Sequence, residues 1–279
     1  MTTCYINGKY CSIANAKISI TDRGFQFSDG IYEVITVYNE KFVDLDLHLY
    51  RLLESLKKID IKINLDKSQI EKISRKIQII NKLKMGIIYI QITRGNQHPR
   101  DHKYKQIKPN IVIYSIKKDL DKFNQMALKG VKATLYPDIR WLRSDIKSIS
   151  LLGNVFAANH AKKKKAHEAI LHNEKKYITE GNSSSVWIIK NNICKTHPLT
   201  YRILKGCTRA KLISLLIENK FKFKETIFST KELLNADEVF ITSATNFVMP
   251  ITKIDEHTIG NGKPGKVSLG LRKSFIKAI

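Results

Sequence analysis

Residues 22–38 are the most informative part of this chain, and they begin Asp22-Arg23-Gly24-Phe25-Gln26-Phe27-Ser28-Asp29-Gly30-Ile31-Tyr32-Glu33-Val34. β-Branched and aromatic residues dominate from Ile31 to Tyr38, which predicts a strand. Asn39-Glu40 then supplies a turn into a partner strand at Lys41 to Val43, so we expect a hairpin. Leucine and isoleucine recur at three- and four-residue steps from Leu45 through Ile59, which predicts an amphipathic helix.

The same two periodicities recur along the rest of the chain. Further helices are predicted at 70–80, 152–165 and 208–218, a short capped helix after Ser229, and strands at 86–93, 110–115, 131–136, 169–171, 186–189, 193–196 and 238–242. Residues 117–130 are polar and weakly periodic, which predicts a connector. We therefore place a domain boundary near residue 120 and expect a smaller N-terminal domain, 1–120, and a larger C-terminal domain, 121–279, both of mixed α and β structure.

Composition indicates a folded globular protein, because 43% of the 279 residues are hydrophobic and 27% are charged. No apolar run approaches the ~20 residues that cross a bilayer, and the first residues lack the features of a secretory signal. We expect a cytoplasmic protein that does not bind membranes. The four cysteines are scattered and lack the spacing of metal ligands, so we expect free thiols and no metal site; they are Cys4, Cys11, Cys194 and Cys207.

The chain carries 49 Lys and Arg against 25 Asp and Glu, a formal charge of +24. A field of this sign attracts anionic small molecules, nucleic acid or acidic lipid. The lysines are spread along the chain, with one dense run at Lys162 to Lys165, and no nucleic-acid-binding motif is present. We interpret the charge as that of a solvated surface and expect no nucleic-acid partner. The alternative from a different functional class is a basic nucleic-acid-binding protein.

Walker-type phosphate loops, dinucleotide fingerprints, zinc-protease motifs and nucleophile elbows are all missing from the sequence. Two other segments carry residue types with possible chemistry. In residues 139–148, Lys147 follows two arginines and a tryptophan, and cationic neighbours together with burial favour the neutral amine that attacks carbonyl groups. Considered alone, Lys147 also fits an ordinary solvated surface lysine. In residues 179–185, Glu180 precedes a run of small hydroxyl residues. This second segment is either an ordinary polar turn or a place where a buried carboxylate holds a protonated pyridine nitrogen.

Two further segments suit the binding of anions. Residues 204–209 open a predicted helix, where backbone amides and the helix dipole favour a phosphate, and Gly206 permits close approach of the backbone. Residues 96–102 form a loop after a strand and carry Arg100 and His102; an arginine is suited to bidentate binding of a carboxylate. Each segment also has a structural reading, as a common helix start and as a polar surface loop.

Three motifs, in the right order, resemble those of the class IV, fold-type IV pyridoxal-phosphate aminotransferases. They are residues 22–34, the segment from Asp138 to Ser148, and Ile178-Thr179-Glu180-Gly181. The resemblance runs nearly end to end and, within the family, is greatest to bacterial D-amino acid aminotransferases. It implies a two-domain enzyme of mixed α/β (α+β) class that binds pyridoxal 5'-phosphate at the domain interface, with the Schiff-base lysine in the C-terminal domain.

The resemblance also implies a role for each candidate site residue. Lys147 would be the Schiff-base lysine and would move the proton between the substrate α-carbon and cofactor C4′. Glu180 would pair with the pyridine nitrogen, and Leu204 would pack against the ring. The cofactor phosphate would be bound by Arg51, Cys207, Thr208, Ser243 and Ala244. The substrate carboxylate would be bound by Tyr32, Arg100 and His102, the last two from the partner subunit of a homodimer.

The activity implied by the resemblance is transamination between D-alanine and 2-oxoglutarate, giving pyruvate and D-glutamate. Arg100-x-His102 after Pro99 matches this branch better than two alternatives of the same fold, an L-branched-chain aminotransferase and an aminodeoxychorismate lyase. Ala244 departs from the pattern, because the family often has threonine there, and we expect weaker cofactor binding. Asn182 and Ser185 look exchanged relative to the family, which bears on how Glu180 is supported.

Overall fold

A computed structural model describes residues 2–279, which form two compact units. The first unit runs to Leu120 and includes the separate segment Ile146–Ser150; the second comprises Asp121–Asp145 and Leu151–Ile279. The family resemblance implies that Lys147 lies in the C-terminal domain, whereas the structure groups it with the first unit. The physical reason is backbone pairing, because Ser148 bridges to Ile31 in a strand of the first unit. Within residues 2–279 no helix has the length and apolar character needed to cross a membrane.

The first unit is an antiparallel sheet with helices packed on it. Its elements are β1 (Thr3–Ile6), β2 (Lys9–Ser12), α1 (Arg23–Phe27), β3 (Gly30–Tyr38), β4 (Lys41–Phe42), α2 (Leu45–Lys58), α3 (Lys67–Ile80), β5 (Gly86–Thr93) and β6 (Asn110–Lys117). The strand order is β2-β1-β6-β5-β3-β4. The predicted hairpin, both predicted helices and the two later strands are confirmed. The strands β1 and β2 and the helix α1 are not among the predicted elements.

The core of the first unit lies between the sheet and helices α2 and α3. Leu49 and Leu52 of α2 are fully buried with Ile31 and Ile35 of β3. Successive side chains of a strand point to opposite faces of its sheet. Glu33, between Ile31 and Ile35, therefore lies on the α2 side of β3, and Tyr32 lies on the opposite face.

The second unit is a larger sheet of parallel and antiparallel pairs with five helices. Its elements are α4 (Asp121–Lys129), β7 (Val131–Pro137), α5 (Leu152–Lys163), β8 (Glu168–His172), β9 (Ile178–Gly181), β10 (Ser185–Lys190), β11 (Ile193–Thr196), α6 (Cys207–Glu218), β12 (Phe223–Glu225), α7 (Thr230–Leu234), β13 (Glu238–Ser243), β14 (Phe247–Ile254), β15 (His257–Thr258) and α8 (Lys266–Lys277). The strand order is β12-β11-β10-β13-β14-β7-β8-β9, and β15 pairs with β14. The mixed α and β class predicted for the fold is confirmed.

One prediction for the second unit is wrong, whereas its predicted helices and strands are confirmed. The predicted connector at 117–130 contains the helix α4, whose Phe123, Met126 and Ala127 pack against the core. These three residues form a narrow apolar stripe at helical spacing, and the polar residues around them hide it in the sequence. The capping box is confirmed, because the Glu232 amide donates to Ser229 Oγ at 3.2 Å and the Ser229 amide donates to Glu232 Oε2 at 2.9 Å.

Candidate active site

Lys147 lies beside β3 in the first unit. The amide of Tyr32 donates to the Lys147 carbonyl at 3.0 Å, and the amide of Ile149 donates to the carbonyl of Gly30 at 3.1 Å. The Lys147 amide donates to Ser55 Oγ of α2 at 3.4 Å. These bonds fix the backbone on both sides of the lysine. Its Nζ lies 4.2 Å from the centroid of the Tyr32 ring, a cation–π distance.

Gly30 allows this segment to approach the sheet. A Cβ atom at position 30 would lie 2.7 Å from the carbonyl oxygen of Ile92 and 3.2 Å from Ile149 Cδ1. Side chains do not tolerate the first of these distances, so any other residue would push the Lys147 segment or β5 away. Gly30 of the 22–34 motif therefore has a packing role next to Lys147.

Glu33, His48 and Arg51 form a buried charged cluster between β3 and α2. Arg51 Nε donates to Glu33 Oε1 at 2.7 Å, and Arg51 Nη2 donates to Glu33 Oε2 at 2.8 Å. His48 Nδ1 lies 2.8 Å from Glu33 Oε2. Arg51 is thus held by a bidentate pair, the arrangement that best fixes the orientation of a guanidinium group.

The pKa values in this cluster follow from burial and from the paired charges. Burial acts to raise the pKa of Glu33, but the charge and hydrogen bonds of Arg51 and the hydrogen bond of His48 outweigh it and lower the pKa far below its usual value. Burial lowers the pKa of His48 despite the Glu33 carboxylate. The cluster therefore combines an ionised glutamate, a charged arginine and a histidine that favours its neutral form.

In the second unit, Arg140 lies between two acidic side chains. Its Nε donates to Asp138 Oδ1 at 2.9 Å and its Nη2 to Asp138 Oδ2 at 2.7 Å, while Nη1 forms an ion pair with Glu180. The other carboxylate oxygen of Glu180 accepts the backbone N–H of Leu204 at 3.1 Å. Thr179 Oγ1 donates to Asp138 Oδ2 at 2.7 Å. Both oxygens of the buried Glu180 are therefore fixed by neighbouring groups.

Burial raises the pKa of Glu180, and the charge and hydrogen bond of Arg140 offset only part of that rise. Burial acts to lower the pKa of Arg140, but Glu180 and Asp138 outweigh it and raise the pKa, so the guanidinium stays charged. Glu180 is thus a carboxylate of higher than usual basicity held in a fixed position. Such a group is suited to keeping a proton on a basic nitrogen next to it.

The helix α6 begins at Cys207, directly after the extended residue Gly206, which has no side chain to cap it. The Ala210 amide donates to the Gly206 carbonyl at 2.9 Å. The amides before Ala210 therefore lie ahead of the first i→i−4 hydrogen bond of the helix. A Cβ at position 206 would lie 3.0 Å from Ser185 Oγ, closer than an ordinary contact. The backbone amides at the start of this helix can bind an anion, and Cys207 and Thr208 are the predicted phosphate ligands there.

Ser243 and Ala244 lie at the turn between β13 and β14. Ser243 Oγ accepts the amide of Asn246 at 3.3 Å. The neighbouring Thr242 is buried, and its hydroxyl accepts the indole N–H of Trp187 at 3.0 Å. Thr242 is thus engaged in the core, so it is a poor substitute for the threonine hydroxyl that the family often has at position 244.

The two exchanged residues after Glu180 have different roles. Asn182 Oδ1 accepts the amide of Ala169 at 2.8 Å, so Asn182 connects the loop to β8. Ser185 lies against Gly206 at the start of α6. The carboxylate of Glu180 contacts Arg140 and the Leu204 amide.

Arg100 and His102 lie on an exposed loop of the first unit. The Arg100 guanidinium carbon lies 4.1 Å from the centroid of the Phe27 ring, and the rings of His102 and Phe27 are 5.1 Å apart. Phe27 therefore brings the two predicted carboxylate-binding side chains to one place.

The groups that hold the site residues are not predicted from the sequence. Glu33, Asp138 and Arg140 lie within the motifs described above and His48 lies within the helix predicted from Leu45 through Ile59, but the sequence assigns none of them a role. The sequence does carry a signal for Glu33. It is an acidic residue on the same face of the predicted strand as Ile31 and Ile35, where an apolar residue is expected. Its partner on α2 could not be identified without the packing of that helix on the sheet.

Residues 30–254 match the family described as amino-transferase class IV, so this chain belongs to that family and is an enzyme of the aminotransferase type. The chain is 39% identical to a D-alanine aminotransferase of Bacillus licheniformis over 274 residues, covering 98% of this chain and 95% of the relative. It is also 39% identical to a D-alanine aminotransferase of Staphylococcus aureus (strain MSSA476), covering 100% of this chain and 98% of the relative. The resemblance noted from the motifs is confirmed.

Solved structures of branched-chain amino acid aminotransferases share the fold. One from Escherichia coli has a TM-score of 0.92 at 20% identity and covers 99% of this chain and 93% of that chain. One from Thermobaculum terrenum, determined in its PLP-bound holo form, has a TM-score of 0.86 at 21% identity with the same coverage. At this level of identity the likeness establishes the fold-type IV architecture alone.

Proposed function

We propose that this chain catalyses transamination between a D-amino acid, with D-alanine as the preferred donor, and a 2-oxo acid, with 2-oxoglutarate as acceptor. The products would be pyruvate and D-glutamate. The observation that carries the proposal is the amine of Lys147, set over the Tyr32 ring by backbone bonds on both sides, in a chain similar over its full length to D-alanine aminotransferases. The Arg100-x-His102 motif supports the D-amino acid branch.

Class IV aminotransferases depend on pyridoxal phosphate, and the donor groups of this chain fit that cofactor. Glu180, fixed at both oxygens, offers a buried carboxylate to the pyridine nitrogen, and Leu204 adjoins it. The uncapped start of α6 offers amides to the phosphate. The residues that would hold the phosphate are Arg51, Cys207, Thr208, Ser243 and Ala244.

When bound, pyridoxal phosphate supplies an aldehyde that takes up the substrate amine and a ring that accepts electrons from the α-carbon. Lys147 would remove the α-proton and return it at C4′. Glu180 would keep the pyridine nitrogen protonated, and Arg140 would hold Glu180 in place. Glu33 would orient Arg51 toward the phosphate, because its bidentate pair fixes the guanidinium plane.

Tyr32, Arg100 and His102 would bind the substrate carboxylate. Their placement would decide which face of the substrate presents its α-proton to Lys147, and so which enantiomer reacts. We propose that Arg100 and His102 act in the active site of the partner subunit of a homodimer. Exposed apolar side chains of the second unit support such an interface, among them Trp141 at 43%, Leu142 at 60%, Leu152 at 65% and Phe156 at 51% exposure. Light scattering of the purified protein tests the dimer.

The half-reaction with single amino acids tests the proposed function. D-Alanine added to purified holoenzyme should convert the absorbance of the lysine-bound cofactor to that of the pyridoxamine form and release pyruvate. A response to L-leucine and L-valine without any response to D-alanine would reject the D-amino acid assignment. Repeated release of pyruvate from aminodeoxychorismate without a 2-oxo acid acceptor would instead indicate the lyase alternative.

Replacing Lys147 tests the role of its amine. Lys147→Ala should abolish multiple turnovers and leave the circular dichroism spectrum unchanged, because the hydrogen bonds of this residue are made by its backbone. Lys84→Ala is a suitable control, since that side chain is 81% exposed. Continued turnover by Lys147→Ala would reject the assignment. The cytoplasmic location expected from the sequence stays a prediction.

A further inference from the structure

Arg23 of α1 binds the backbone of the loop that carries the predicted carboxylate ligands. Its Nη1 donates to the carbonyl of Asp101 at 2.5 Å, and its Nη2 donates to the carbonyl of His102 at 3.0 Å. Its Nε donates to Asp29 Oδ2 at 2.8 Å. Arg23 is only 3% exposed, so these bonds form away from solvent. We call residues 98–103 the Arg100 loop.

The partner of Arg23 is itself firmly held. Arg94 Nε donates to Asp29 Oδ2 at 2.7 Å, and Arg94 Nη2 donates to Asp29 Oδ1 at 3.0 Å. Arg94 also donates to the carbonyls of Ile59 at 2.7 Å and Asp60 at 3.0 Å, just after α2. The Arg100 loop is therefore connected through Arg23, Asp29 and Arg94 to the main helix and sheet of the first unit.

Phe27 orders the side chains of the same loop. The guanidinium carbons of Arg23 and Arg100 lie 4.7 Å and 4.1 Å from the centroid of its ring, and the His102 ring lies 5.1 Å away. A guanidinium group over an aromatic face is attracted by the ring quadrupole. Arg23 thus fixes the backbone of the loop, while Phe27 limits the rotamers of Arg100 and His102.

We propose that Arg23 and Phe27 are positioning residues for substrate recognition, which hold Arg100 and His102 in the arrangement that binds the α-carboxylate of the amino acid. Long side chains on a mobile loop would lose conformational freedom on binding, and ordering them beforehand removes that penalty. The inference rests on the proposed function, because it takes Arg100 and His102 to be the carboxylate ligands.

If Arg23 had a purely structural role, its hydrogen bonds would go to segments that pack in the core. The residues of the Arg100 loop are exposed, and none of them belongs to the hydrophobic core of the first unit within residues 2–279. Two of the three side-chain nitrogens of Arg23 nevertheless donate hydrogen bonds to this loop. The arginine therefore orders a segment that core packing does not order.

The test compares two variants with a matched control. Arg23→Lys retains the charge, but an ammonium group cannot reproduce the planar fork that reaches Asp29 and both carbonyls. Phe27→Leu removes the ring without leaving a buried charge unpaired. Arg75→Lys is the control, because Arg75 also pairs with a carboxylate at 2.8 Å and lies 5.1 Å from the Phe42 ring centroid, yet is 51% exposed and binds no loop carbonyl.

Two measurements on the holoenzymes separate positioning from general damage. Hydrogen exchange by mass spectrometry reports the order of peptides covering residues 96–106. The half-reaction is followed with D-alanine and with ethylamine, which has the amine but no carboxylate. We expect kcat/KM for D-alanine to fall on the order of 100-fold in Arg23→Lys, mainly through KM. The ethylamine rate should stay within about twofold of wild type, and exchange in the loop should accelerate.

Equal losses of rate with D-alanine and with ethylamine would show general damage and overturn the proposal. An unchanged KM for D-alanine in both variants would also overturn it, and so would unchanged hydrogen exchange of the loop in both variants. Phe27→Leu should give a smaller rise in KM with the same substrate pattern, and Arg75→Lys should change neither measurement. If wild-type holoenzyme does not react with D-alanine, the proposed function fails. The exchange measurement then still decides whether Arg23 orders the loop, so the two failures are distinguishable.

Discussion

Replacing Glu168 with glutamine should make the stability of the protein less sensitive to rising pH. Glu168 is 2% exposed at the start of β8. Its Oε1 accepts the Ser183 amide at 2.8 Å, and no salt bridge within residues 2–279 includes it. Burial raises the pKa of Glu168 from 4.5 to about 7, although hydrogen bonds from Ser183 oppose the rise. A buried carboxyl group without a cationic partner therefore titrates near neutral pH.

The direction and size of the effect follow from proton linkage. Below pH 4.5 the carboxyl group is protonated in both states, so it contributes no pH dependence. Between pH 4.5 and about 7 the folded state binds more protons than the unfolded state, so stability falls as pH rises. At ~1.4 kcal/mol per pKa unit, the loss reaches ~3 kcal/mol by pH 8. Glutamine keeps an acceptor for the Ser183 amide but does not ionise.

The assay is guanidinium unfolding of wild type and Glu168→Gln from pH 5 to pH 8, at one protein concentration and one cofactor concentration. The stability difference should shift in favour of the variant by up to ~3 kcal/mol over this range. Glu174→Gln, at an exposed position of the same unit, is the control and should show a difference that does not change with pH. A constant difference for Glu168→Gln, or one that shifts in favour of wild type, would refute the reasoning.

Three further predictions concern the first unit. Glu33→Gln leaves the buried Arg51 charge without its carboxylate and should destabilise the protein by about 3–5 kcal/mol, measured by chemical unfolding at pH 7. The thiols of Cys4 and Cys11 are 3.7 Å apart on paired strands, so oxidation with diamide should join them, detected by peptide mapping. Leu49→Ala empties a fully buried site against the sheet and should cost about 2–5 kcal/mol of unfolding free energy.

Each of these predictions has an internal control. Glu71→Gln breaks an exposed pair with Arg75 and should cost less than about 1 kcal/mol; an equal cost for Glu33→Gln would contradict the buried-charge explanation. Cys194 is buried and should remain unmodified, so a disulfide containing it would contradict the pairing. Ile80→Ala, at a side chain 43% exposed, should cost less than Leu49→Ala.

Local pattern was sufficient for most elements of the fold. The strand at Gly30–Tyr38 and the helix at Leu45–Lys58 were predicted within one residue at each end, because their periodicity depends on neighbours within a few positions. The helix Asp121–Lys129 was missed for the same reason, since its apolar stripe is only three residues and the surrounding residues are polar. The family resemblance indicated Lys147 and Glu180 as candidate site residues. Composition and periodicity alone did not distinguish them from other polar residues.

The amino-acid sequence by itself determined the mixed fold class, the main strands and helices, the family and the candidate site residues. Only the tertiary structure decided which groups hold those residues: Glu33 is 18 positions from Arg51, and Arg140 is 40 positions from Glu180. It also decided that the Lys147 segment pairs with β3 of the first unit. Secondary structure follows from residues near in sequence, whereas burial and charge pairing depend on which surfaces the folded chain brings together.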